Sequence, residues 1–379
     1  MLRWLLKYGA FIFLLNTVLL AIEITRGIGN QIFLSSMVLY SIVLLLNPSL
    51  VKRVIFHKTF TFFLILNLLN VFYFFLFHSF SDIKAIEYLL ARGIQFSIIS
   101  ISIYSHFEYY KTNFLDHLVY VISFIVFLSL IIDIDLFSGR YSGVIWNPNM
   151  MASFTTMGFA VLFLKETQKT RYEVFLLFVF LVVSLSTGSR GVLVAIVLLL
   201  LFKHGFSYYN LTYALLALLV SFILINFQLD TSLNRFASQG LFNNRLLQYE
   251  FALESIANKM YSGYGLDKYS YIDKDLIPWF YKGGVIGAHN GYLAILTQYG
   301  VIFGSVVIFI IFRKCIQAVN WAKHSSFGVE KTYLFIIIYA LISALYESLI
   351  TGINEFHTIL FWFSLAFLSL LKFNQKYGD

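Results

Sequence analysis

The chain has 379 residues, of which 59% are hydrophobic, 19% aromatic and only 12% charged, against about 25% charged in soluble domains. That balance excludes a soluble globular domain. The net charge of +8 sits mostly in short loops between apolar runs, so it reports membrane topology rather than a nucleic-acid partner. A single cysteine, Cys315, excludes an intrachain disulfide or a cysteine-based metal site.

Apolar runs of about 17–25 residues suffice to cross a hydrocarbon core of roughly 30 Å. Only helices or closed barrels satisfy the backbone there, and these runs are continuous rather than alternating, which is not a barrel pattern. The expected fold is an all-α polytopic membrane bundle, one domain over 1–379. Twelve spans are predicted, near 4–22, 31–47, 59–80, 86–106, 115–135, 149–165, 174–188, 191–203, 211–228, 289–312, 333–351 and 356–371. The N-terminus, Met1 to Ile22, resembles a signal peptide with its Arg3 and Lys7, but lacks a small-residue cleavage site and reads as a retained helix. With the N-terminus inside, the inner segments hold sixteen Lys/Arg, and the short outer loops hold four, Arg26, Lys84, Arg140 and Arg190. That bias puts both termini in the cytoplasm and a large polar loop, 229–288, outside.

Along the chain, Arg92 falls in the fourth span and Glu347 in the eleventh. They are read as a structural pair or as groups facing a cavity, with Arg92 a candidate substrate contact. Asp133 and Asp135 lie near the outer interface, without further ligands at metal-binding spacing, so no metal is expected. Asn147-Pro148-Asn149 follows Tyr141-Ser142-Gly143. Either asparagine can bind a sugar, or the run is plain turn and cap chemistry. Trp146 beside it is a sugar platform or an interfacial aromatic.

Arg190 sits in Gly188-Ser189-Arg190-Gly191, between two apolar runs. An arginine at membrane depth costs about 2.5–3.5 kcal/mol on insertion scales. It is either a snorkelling loop residue or a bidentate phosphate clamp. In the large loop, Asn243-Asn244 is expected to cap a helix whose apolar face is Leu246, Tyr249, Leu253, Ile256 and Ala257. Arg245 in its first turn is a surface charge, or it shares an anion site with the helix N-terminus. A Tyr/Asp/Lys-rich stretch, 269–282, reads as irregular loop. His289 opens the tenth span and is followed by Asn290-Gly291-Tyr292. It is a structural histidine or a general base. No nucleotide-binding, nucleophile-elbow or zinc motif is present.

These motifs together resemble the O-antigen ligase/polymerase superfamily of bacterial membrane glycosyltransferases. The resemblance rests on Gly143…Asn147-Pro148-Asn149…Ala152, Ser184…Thr187-Gly188-Ser189-Arg190-Gly191, Asn244-Arg245 with Gly263-Tyr264-Gly265, and His289-Asn290-Gly291-Tyr292-Leu293…Gly300…Gly304. It implies a C-type glycosyltransferase-like bundle of about twelve transmembrane helices with one large periplasmic loop, in the bacterial inner membrane. It implies undecaprenyl-diphosphate-linked oligosaccharides as donor and acceptor, no cofactor, and a chain-length regulator as candidate partner. Arg190 and Arg245 would hold the diphosphate and His289 would take the acceptor's proton. Asn147, Asn149, Asn290 and Tyr292 are further candidate substrate contacts. Short loops and a Phe/Ile/Asn/Lys-rich composition favour a polymerase of repeat units, transferring the growing glycan to the next lipid-linked repeat. The alternatives are a ligase acting on lipid A core or protein, and a flippase. A transporter places its charges at midplane between repeated halves, whereas here they gather at one face.

Overall fold

In a computed structural model of the chain, residues 2–137, 140–205, 212–213, 216, 245–267, 288–322 and 328–377 are described. The predicted ninth span, the Asn243-Asn244 cap and the 269–282 stretch lie outside the described residues, apart from isolated positions at 212–216. The described part is helical, as the continuous apolar runs require. The helices are α1 (Leu2–Ala21), α2 (Arg26–Leu46), α3 (Pro48–Ile55), α4 (Thr61–Phe77), α5 (Ile83–Ser105), α6 (Phe107–Thr112), α7 (Phe114–Ile132), α8 (Pro148–Leu164), α9 (Arg171–Ser186) and α10 (Gly191–His204). After the undescribed segment come α11 (Arg245–Asn258), α12 (Gly291–Ala322), α13 (Glu330–Ser343) and α14 (Phe356–Tyr377).

Six of these helices, α1, α2, α5, α7, α12 and α14, are long and apolar enough to cross a membrane, and α4, α8 and α10 are shorter apolar helices. The chain is therefore a multi-pass membrane protein. Helix α14 is its axis. It packs against α1, α5, α12 and α13, and almost every residue from Phe356 to Leu371 is buried. Helix α2 lies at the periphery, with Leu34, Val38, Leu45 and Leu46 exposed.

Local chemistry fixes the helix starts. Asn147 accepts from the Asn149 N–H at 2.8 Å ahead of Pro148, which suits a first helical position. Thr170 and Glu173 form a reciprocal capping box on α9. Asp82 caps α5.

Three sequence expectations need correction. The predicted tenth span ends at 312, but α12 runs on to Ala322, because the apolar pattern resumes beyond Arg313 and Lys314, whose stems can snorkel. Cys315 is consequently buried within that helix. The eleventh span was expected to reach 351, but α13 stops at Ser343. The segment 344–355 that follows carries Ser348, Thr351, Gly352 and Asn354, poor helix formers. It is held open by a bond from the Gly291 N–H to the Ala344 carbonyl at 2.7 Å. Third, of the face expected to be apolar, α11 buries Ile256 but not the leucines. Ala252, Ser255 and Ile256 are buried, whereas Leu246 and Leu253 are more than half exposed among the described residues. Small side chains allow α11 to approach α12 closely, and that contact overrides the stripe of larger apolar residues.

Helix α12 is kinked at Gly300, where φ is 71°. A Cβ there would fall 2.6 Å from the Tyr261 carbonyl, so only glycine fits. The segment after α11 takes up the backbone groups that the kink frees. Val301 donates to the Met260 carbonyl, Tyr264 to Thr297 and Gly265 to Gln298. A broken helix at membrane depth needs such replacement partners.

Candidate functional site

The N-terminal ends of α8, α10, α11, α12 and α14 meet around the 344–355 segment. Each contributes polar residues that its own backbone presents. Between α9 and α10 the chain turns at Gly188, with φ 66°. Thr187 is fully buried and braces the turn, donating to the Ser184 carbonyl at 2.7 Å and accepting from the Ser189 N–H at 3.2 Å. Arg190 then stands directly before α10.

Arg140, Arg190 and Arg245 line one polar recess of about 70 Å³, together with Asn149, Ser189 and Glu347. The recess joins a larger cavity of about 420 Å³, lined among others by Asn147, His289, Glu347, Glu355 and His357. Asn149, Ser189, Gly191, Tyr346 and Glu347 border both. The sequence-derived residues Arg190, Arg245, His289, Asn147 and Asn149 are therefore brought to one place from four separate stretches of chain.

Glu347 links the two spaces. One carboxylate oxygen accepts from Arg245 Nη2 at 2.6 Å, and the other lies 3.4 Å from His289 Nδ1. Burial pushes its carboxyl up, but the His289 bond and the Arg245 charge outweigh burial and hold it below the ordinary value. A charged carboxylate on Nδ1 leaves Nε2 of His289 as the nitrogen able to take a proton, an orientation used by general bases. His289 itself adopts φ 42° and keeps 41% of its side chain exposed, so it is reachable from the cavity. Glu355 faces the same cavity. Burial raises its carboxyl to about 7, although Thr358 and Arg92 pull the other way.

Other expected contacts have structural duties. Asn290 caps α12, accepting from the Tyr292 and Leu293 N–H groups at 2.9 and 3.0 Å, and donates to the Leu345 carbonyl at 3.0 Å. Tyr292 donates to the Leu341 carbonyl and stacks on Phe312; it does not line the cavity. Trp146 carries the Arg26 guanidinium over its ring at 5.1 Å. Asp133 accepts from the Asp135 N–H, an ordinary turn arrangement.

Arg92 and Glu347 do not pair. Arg92 is buried in α5 and donates to the Thr351 and Gly352 carbonyls, with Gln95 at 3.3 Å. It lines a separate, small void among Asn70, Tyr88 and Tyr299. The site residues that sequence reasoning missed are Glu347 in its actual role, Arg140 and Glu355. For Glu347 the signal was polar residues interrupting the apolar run after Ser343, which the predicted span 333–351 takes as helix.

Residues 174–309, about a third of the chain, match the family model described as O-Antigen ligase. Over that segment the chain is similar to the O-antigen ligase family. The matched segment contains Arg190, Arg245 and His289, whereas Asn147, Glu347 and Glu355 reach the same cavity from outside it. No curated protein matches the chain.

Proposed function

We propose that the chain is a metal-independent glycosyltransferase that polymerises lipid-diphosphate-linked oligosaccharide repeats at the outer face of the bacterial inner membrane. The observation that carries the reading is the recess of three arginines opening beside a histidine held by a carboxylate. A diphosphate diester carries one charge on each phosphate, and guanidinium forks match phosphate oxygens in pairs. Arg190 and Arg245 hold the diphosphate of the donor. The acceptor hydroxyl attacks the anomeric carbon, and its proton passes to Nε2 of His289. The new C–O bond forms as the bond from anomeric carbon to phosphate oxygen breaks. The leaving lipid diphosphate keeps the electron pair, and the arginines stabilise its growing charge. Glu347 stabilises the imidazolium. Asn147 and Asn149 face the cavity where sugars would lie. Because the arginines supply the charge stabilisation, turnover survives EDTA.

The twelve-span bundle with cytoplasmic termini and a periplasmic loop over 229–288 belongs to the same proposal, supported by the Lys/Arg bias of the loops. Undecaprenyl diphosphate is the expected carrier, and a chain-length regulator the expected protein partner. A ligase reading is favoured by the family description itself, since both reactions need the same step. The surface glycan of a deletion strain separates them. Core bearing one repeat means polymerase; bare core, with polymer left on the lipid carrier, means ligase.

A further inference from the structure

At the opposite end of the bundle, α12 and α14 close a second groove, of about 240 Å³. Counting 1.5 Å per residue along α14 from Phe356 to Lys372, it lies on the order of 25 Å from the candidate site. Lys58, Lys314, Lys372 and Lys376 line it, and no acidic residue does. Two other lysines at this end have carboxylate partners. Lys165 pairs with Glu173 at 2.7 Å and with Asp116, and Lys331 pairs with Glu166. Among the described residues, none of the four groove lysines pairs with a carboxylate. Lys314 is half-buried. It donates to the Thr59 carbonyl at 3.4 Å, lies 4.8 Å from the Phe62 ring centroid, and is close enough to feel the charge of Lys372. Thr59 also lines the groove, and its hydroxyl is buried without a partner.

Like charges crowded in a half-buried groove are costly unless an anion lies between them. Positive residues in loops would satisfy the rule for inner-side topology without converging, so topology alone does not explain this cluster. The groove opens toward the C-terminal ends of α12 and α14, the level of the cytoplasmic headgroups in the proposed topology, beside Phe312 and Ile316, which are exposed on α12. Apolar side chains next to a basic pocket suit a molecule with both a phosphate and an acyl chain.

We infer that this groove binds the phosphate headgroup of an anionic membrane lipid, with Lys314 and Lys372 as its main contacts. The site is separate from the donor recess and independent of its assignment.

The test uses full-length protein in detergent, titrated with phosphatidylglycerol or phosphatidylcholine and read by native mass spectrometry. Phosphatidylglycerol is expected to be retained preferentially. In the double variant Lys314→Gln/Lys372→Gln its retention weakens roughly tenfold to thirtyfold, as loss of two near-surface cations predicts. Lys314→Arg/Lys372→Arg keeps the binding, which holds the test open if the neutral variant folds poorly. Lys111→Gln, a charge removed from an exposed position outside the groove, changes nothing. Equal retention of the two lipids by the native protein overturns the inference, as does an unchanged neutral variant or an equal loss with Lys111→Gln. Displacement of the lipid by micromolar inorganic phosphate assigns the groove to a soluble phosphate instead, and also overturns it.

Discussion

Two arginine-bearing regions touch the same 344–355 segment and use it in opposite ways. In α5, Arg92 spends its donors on the Thr351 and Gly352 carbonyls and on Gln95, and Gln95 donates to the Ile353 carbonyl at 2.7 Å. There the guanidinium is a clasp that holds a broken stretch of backbone in an apolar setting. A few residues away, Arg140, Arg190 and Arg245 line an open recess bordered by a single described carboxylate, Glu347. An arginine at membrane depth thus does not announce its purpose. What separates clasp from binding site is whether its partners are backbone carbonyls in a closed void or side chains around a space large enough for a ligand.

The sharpest way to break this comparison is at His289. His289→Ala is expected to lower turnover about 10²–10⁴-fold, the usual contribution of a general base, with membrane abundance unchanged. Complementation of a deletion strain, with the protein followed by blot, reads both. A normal glycan ladder would show that another group or water takes the proton. Arg190→Lys comes next. Lysine keeps the charge but not the paired bonds. The loss should approach that of Arg190→Ala, about 2.7–4 kcal/mol by analogy with removing an oxyanion donor. Ladders of native length from the lysine variant would mean that charge alone suffices.

Arg92 should behave in the opposite sense. Arg92→Met leaves buried carbonyls without donors, each costing about 1–3 kcal/mol. The expected result is a lower melting temperature and less protein in the membrane, with turnover per folded molecule within about threefold of native by the same bond energies. If turnover falls while the melting temperature holds, Arg92 belongs to the site after all. Glu347→Gln, which keeps the shape but removes the charge from His289, should lower kcat roughly tenfold to a hundredfold, as for hydrogen bonds to charged groups. Because Arg245 loses its carboxylate partner, KM should fall as well. A rise in KM with kcat intact would make Glu347 a substrate contact and not a support for His289.

The sequence made one of these regions legible and hid the other for physical reasons. Arg190, Arg245 and His289 each stand beside residues that end or begin a helix, Gly188, the α11 start and Asn290, so motif and topology could place them at one face. Glu347 stands in an apolar run, 333–351, long enough to read as membrane-spanning. Its break comes from tertiary bonds, Gly291 to Ala344 and Arg92 to Thr351, which leave no local signature. The inward face of α11 was misread for a related reason. Periodicity ranks residues by hydrophobicity, but close helix contact here selects the small Ala252 and Ser255. The basic groove was equally opaque, since its lysines are 318 residues apart at the extremes, Lys58 and Lys376.

Glu355 offers the smallest effect and the finest discrimination between the regions, because it lies between them. Its carboxyl borders the large cavity and also feels Arg92. Burial raises it from 4.5 to about 7. Below that value the group is neutral in the folded protein, and above it adds a negative charge beside the arginine recess. Affinity for a diphosphate should therefore fall as pH rises through about 7. A single charge at a few ångströms in a wet cavity is worth about 1 kcal/mol, so the change is roughly fivefold. Folding stability should fall over the window from 4.5 to about 7 as well, since the unfolded chain has already released a proton that the folded protein still holds. Glu355→Gln should flatten both profiles at the low-pH level. Pyrophosphate binding by calorimetry and thermal melts across pH 5–8 measure the two. If the variant keeps the native pH dependence of binding, the titrating group is elsewhere in the cavity. If only the stability profile flattens, Glu355 belongs with Arg92 to the clasp and not to the site.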